Sequence, residues 1–252
     1  MALIQEISIT GWLYVVLVML LAGWAHGALG LGFPMIATPL IAIFVDVKIA
    51  ILITLLPTVT VNIASVVSAD NVLPVVKKYR VLLVATLAGG IVGAMVLAHA
   101  DPSPFRLLLA ALIVLFILSS RLNTQMPIGS SAATMGIFGL VAGFSGGTTN
   151  VMVAVLIIYF LANGTSRIEM VAAMNCCFLI GKLSQIVIFL MTGLITIQSL
   201  LYTAPLAVVA LAALFFGQRV GQSVPVDRYK RILYIVLLLL AIVLVVQYFF
   251  GL

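Results

Sequence analysis

Carboxylates are scarce in this sequence: six Asp and Glu in 252 residues, beside two histidines and two cysteines. The acids stand at the ends of apolar runs or in loops, so no catalytic acid pair, His/Asp metal set or activated nucleophile can be assembled from them. The chain therefore does not read as an enzyme, and no cofactor or metal is expected. Cys176 and Cys177 are adjacent inside an apolar run. Neighbouring cysteines rarely reach disulfide geometry and no ligand cluster surrounds these two, so neither a disulfide framework nor a metal site follows. Only Glu6, and no basic residue, precedes the first apolar run, which is unlike a cleaved signal peptide.

What the chain does have is apolar surface. It is 65% hydrophobic and 7% charged, with a mean hydropathy of +1.37. A soluble fold of this length cannot hide that much apolar area, so lipid is the solvent and a soluble interaction module is excluded. The net charge of +6 comes from 12 Lys and Arg against 6 Asp and Glu. In a soluble protein that balance would suggest nucleic acid; here it reads as basic loops kept on the cytoplasmic side.

Crossing a hydrocarbon core of about 30 Å takes roughly 20 apolar residues. Runs of that order lie at 7–26, 48–69, 81–100, 105–121, 168–192, 198–217 and 230–250. Three pieces, 33–45, 129–143 and 148–162, are shorter and adjoin Gly-rich breaks, His26 to Gly32 in one half and Gly143 to Gly147 in the other. The breaks expose a repeat. Ala22-Gly23 matches Ala142-Gly143, and Gly93…Phe105-Arg106 matches Gly217…Tyr229-Lys230. The expected fold is an all-α integral membrane protein of two halves. Residues 1–122 hold a hairpin (7–45) and helices 48–69, 81–100 and 105–121. Residues 123–252 hold a hairpin (129–162) and helices 168–192, 198–217 and 230–250.

Loop charge predicts that the halves are inverted. Lys77, Lys78 and Arg80 sit in a loop whose counterpart, 193–197, is uncharged, while Arg219, Arg228, Lys230 and Arg231 sit where the first half has only Arg106 against Asp101. With both termini outside a cytoplasmic membrane, these basic clusters, Arg121 and Arg167 all face the cytoplasm, and only Lys48 and Arg106 face out. Four simple spans per half in parallel orientation is the alternative, and it would strand one basic cluster outside.

Lys182 stands in the middle of the run 168–192, where a lysine costs about 2.5–3.5 kcal/mol to insert. Asn175 and Gln185 share its helix face. A snorkelling or carbonyl-paired lysine is the bland reading; a lone cation facing a cavity points to an anion. The counterpart run carries Thr54, Thr58, Asn62 and Ser65 on one stripe, kinked by Pro57, which serves equally well as helix–helix glue or as a binding face. The breaks themselves supply Gly27 and Gly30 in the first half and Ser145, Gly146, Gly147, Thr148, Thr149 and Asn150 in the second. Helices starting after such turns aim unpaired N–H groups at a site, and two tips from inverted halves would cradle an anion near the midplane. Close helix packing is the competing role for the glycines. His26 could titrate near neutral pH and couple transport to protons, or could be a satisfied structural histidine.

Three motifs resemble the TauE/SafE family of sulfite and organosulfonate exporters. They are Gly27…Gly30-Leu31-Gly32…Pro39-Leu40, the run from Gly139 through Gly147, and Gly217…Arg228-Tyr229-Lys230-Arg231 before an aliphatic helix. The resemblance implies passage of small anions, namely sulfite, sulfonates or related organosulfur compounds, across the cytoplasmic membrane, as an exporter; a coupling proton or cation is a further partner considered for a carrier, beside the lipid bilayer. An anion channel keeps the same site without alternating access. An integral membrane enzyme acting on a lipid or prenyl substrate is the reading from another class.

Overall fold

Aliphatic runs flanked by serine caps and glycine stops become helices here, because backbone polar groups in lipid must be satisfied within their own segment. The computed structural model describes residues 7–69, 72–119, 128–220 and 226–250, leaving aside the side chains of 226–233. The expected boundary between halves at 122/123, Arg121, and the side chains of Arg228, Lys230 and Arg231 lie outside the described residues.

Eleven helices are described: α1 (Ile9–Leu29), α2 (Phe33–Ile41), α3 (Val47–Val67), α4 (Val72–Lys78), α5 (Arg80–His99), α6 (Ser103–Ser119), α7 (Ala132–Thr149), α8 (Val153–Ala162), α9 (Arg167–Met191), α10 (Ile197–Val220) and α11 (Val226–Phe250). No strand occurs among the described residues. By length and composition, α1, α3, α5, α9 and α10 can each cross a bilayer. Ser8, Ser131 and Ser166 cap α1, α7 and α9, each side chain accepting a first-turn N–H.

The short pieces expected at 129–143 and 148–162 are divided differently. The glycines at 143, 146 and 147 are helical, and α7 runs on to Thr149. The break is Asn150 to Met152, where Asn150 takes the left-handed conformation (φ 66°), which asparagine tolerates better than other side chains. Likewise His26 and Gly27 lie inside α1, and the first break is Gly30 to Gly32, with both glycines at positive φ. Glycine at every fourth position of a helix builds a flat face and does not end the helix.

The chain forms two compact units, each drawn from both halves of the sequence. The first comprises residues 1–61, 101–114 and 195–252. Within it α1 and α10 run parallel in direct backbone contact. A Cβ on Gly23 would run into the Ala210 carbonyl, one on Gly27 into that of Leu214, and one on Gly217 into that of Trp24. Tyr14 donates to the Leu40 carbonyl (2.9 Å) and Gln247 to that of Ile43 (2.9 Å), tying α1 and α11 to the end of α2.

The second unit comprises residues 62–100 and 115–194. Here α5 and α7 run parallel, equally close. A Cβ on Gly143 would meet the Thr86 carbonyl, one on Gly147 that of Gly90, and one on Gly93 that of Phe144. Lipid supplies no hydrophobic drive between helices, so such close van der Waals approach is what joins them. At one end Glu169 of α9 accepts from Lys78 (2.5 Å) and from Tyr79 (2.8 Å). That puts the start of α9 beside the start of α5. The Glu169 hydrogen bond raises the Lys78 pKa above its ordinary value, and burial raises that of Tyr79.

Candidate functional site

Lys182 lies roughly 22 Å along α9 from Arg167, about as far as the end of α7 lies from its own start. It is 2% exposed. Its ammonium donates to Asn150 Oδ1 and Gln185 Oε1. Gln185 in turn donates from Nε2 to the carbonyls of Gly146 (3.2 Å) and Gly147 (2.9 Å). Those carbonyls belong to the last turn of α7, whose negative dipole end favours a cation. The Gln185 amide is thereby oriented, with its oxygen turned to Lys182. An ammonium carries three donors and no acceptor, and two donors are engaged. Among the described residues no carboxylate pairs with it.

The second hairpin therefore brings Lys182, Gln185, Asn150 and the backbone of Gly146 and Gly147 together. Its hydroxyls turn inward on their own helix. Ser145 donates to Ala142, Thr148 to Phe144 and Thr149 to Ser145, while Thr149 Oγ1 also accepts from the Val151 N–H (3.3 Å). Asn175, two turns before Lys182, donates to the Val171 carbonyl (2.9 Å).

The two hairpins differ at the start of their second helix. In the first, the fully buried His26 accepts at Nδ1 from the Phe33 N–H (3.2 Å), so its proton is on Nε2 and its ring caps α2. In the second, α8 starts after Met152, whose own side chain makes no cap bond. Thr54 and Thr58 of α3 donate to their own helix, to the carbonyls of Ala50 (2.9 Å) and Thr54 (2.6 Å). Asn62 differs from them: it is fully buried, and neither its amide nitrogen nor its oxygen has a hydrogen-bond partner among the described residues.

One residue gave no signal in the sequence. The Met152 side chain fills the space over two glycines, since a Cβ on either Gly146 or Gly181 would strike its Cε. It wedges the hairpin tip against the α9 turn that holds Lys182. A methionine in an apolar run looks like lipid-facing bulk; only the glycines opposite it, Gly146 and Gly181, mark the contact.

Residues 15–244 match the profile of the family described as sulfite exporter TauE/SafE. No curated protein and no solved structure matches the chain.

Proposed function

Because the chain belongs to the sulfite exporter TauE/SafE family, a family of membrane transporters, we propose that it carries small sulfur oxyanions or sulfonates across the cytoplasmic membrane, held at Lys182, Asn150 and Gln185. The observation that carries this reading is a buried lysine whose partners among the described residues are neutral amide oxygens. A cation inside a membrane protein marks a substrate or ion path unless it is neutralised, and an incoming anion supplies the missing charge. The start of α8, which the Met152 side chain does not cap, adds N–H groups beside the same break. Asn62, with neither amide atom bonded among the described residues, is the further polar group that an oxyanion or its water would satisfy.

The same reading includes an inverted repeat of residues 1–122 and 123–252 with both termini outside. Its support is the matching of contacts. Gly23, Gly27 and Gly217 face Ala210, Leu214 and Trp24, as Gly143, Gly147 and Gly93 face Thr86, Gly90 and Phe144. One constant shift along each helix converts the first set into the second. Within the second unit α5, α7 and α9 all start at one end, as they would if 132–162 enters and returns on one side.

The test is thermal stability of purified protein with sulfite, thiosulfate, taurine, sulfoacetate and matched carboxylates. Ligand that binds only the folded state raises Tm. The proposal expects a sulfur oxyanion to raise it in the wild type and not in Lys182→Met; an equal shift in both would remove Lys182 from the site.

A further inference from the structure

The outer face of the second unit carries a groove that the transport reading does not use. It has a volume of about 460 Å³ and is lined by Arg80, Val81, Val84, Ala85 and Ala88 of α5 and by Leu140 of α7. It is open to the surroundings: Val84 is 67% exposed and Leu140 47%. The lining below Arg80 is wholly aliphatic and runs along one stripe of α5, about 12 Å from Arg80 to Ala88. That is the reach of much of one acyl chain. Ala85 and Ala88 leave the space, and the glycine-mediated contact between α5 and α7 sets Leu140 alongside as the opposite wall.

The one charged residue in the groove's lining is basic, Arg80 at its end. Arg80 is the first residue of a helix able to span the bilayer, so it stands at headgroup level. It is exposed, as is Lys77 a turn earlier on α4, and no described residue pairs with either. Lys78, between them, is taken by Glu169. Leu73 on α4 is 64% exposed, which suits a short helix lying in the interface.

We propose that this groove binds one anionic phospholipid, with an acyl chain along Val81, Val84 and Ala88 and the phosphate on Arg80 and Lys77. Charge complementarity selects an anionic over a zwitterionic headgroup, because basic residues at the membrane surface attract acidic lipid. The guanidinium fork suits phosphate oxygens better than an ammonium does. The lipid would sit against α5 and α7, the pair whose far end holds the Asn150 break, but the proposal does not depend on what that break binds.

The experiment is native mass spectrometry of the purified chain in detergent doped with equal amounts of phosphatidylglycerol and phosphatidylcholine. Wild type should retain phosphatidylglycerol preferentially, and Arg80→Gln should reduce its retention roughly five-fold, the effect of one surface charge. Ala88→Phe, which fills the groove without touching charge, should reduce it as well, while Arg80→Lys should keep most of it. Both positions are lipid-exposed, and unchanged melting temperatures would verify that the variants fold. Equal retention of the two lipids by wild type, or undiminished phosphatidylglycerol on both Arg80→Gln and Ala88→Phe, would overturn the proposal. So would full displacement of the lipid by millimolar inorganic phosphate, which would reduce the site to a headgroup contact.

Discussion

Lys182 and Asn62 are polar groups in a chain with few of them, and their surroundings differ in kind. Lys182 has two acceptors, one of them locked by hydrogen bonds to the last carbonyls of α7, whereas Asn62 has no hydrogen-bond partner among the described residues. A buried amide left unpaired costs about 1–3 kcal/mol. Asn62→Leu should therefore raise the Tm of ligand-free protein while lowering transport, a trade of function for stability. A fall in Tm would mean that Asn62 is bonded in the folded protein. The common face of Lys182, Asn175 and Gln185 was legible from helical spacing alone. The bond to Asn150 was not, because it joins groups far apart in the chain, and residue order carries no information on which break approaches which helix. His26, read as either a proton carrier or a structural group, is found capping α2.

At the level of helices, the glycine-rich segments were visible as the special places, and the second break was placed too early in the chain. Glycine marks turns and close packing alike, and composition does not separate the two. Here Gly143 and Gly147 lie against the α5 backbone, and the turn falls to Asn150. The consequence distinguishes two neighbouring residues. A Cβ on Gly147 would meet the backbone of Gly90 and Ala94, which cannot give way, while one on Gly146 would meet the Met152 side chain, its movable Cε most closely and its Cβ at 3.2 Å. Gly147→Val should cost about 1–3 kcal/mol of overpacking and lower Tm by several degrees. Gly146→Ala should leave stability nearly intact and weaken anion binding through a displaced Met152. Thermal melts of the two variants check this; a Gly147→Val protein as stable as wild type would show that α5 and α7 are not held by that contact.

For the whole molecule, composition alone established a multi-pass membrane protein, and loop charge suggested the inversion of its halves. The exchange of segments was hidden: each compact unit takes its hairpin from one half and the helix packed on that hairpin from the other, a long-range pairing that hydropathy does not encode. Single cysteines at Lys78 and Gln198, in a background lacking Cys176 and Cys177, test the orientation. The account expects an impermeant maleimide to label Gln198→Cys from outside and Lys78→Cys only after permeabilisation; labelling of both from one side would contradict it. The central claim, that an anion is carried on Lys182, is tested most directly by counterflow of labelled sulfite in proteoliposomes. Wild type loaded with unlabelled sulfite should transiently accumulate the label, and Lys182→Met, inserted and folded to the same extent, should not. Accumulation by Lys182→Met at the wild-type rate would contradict the account.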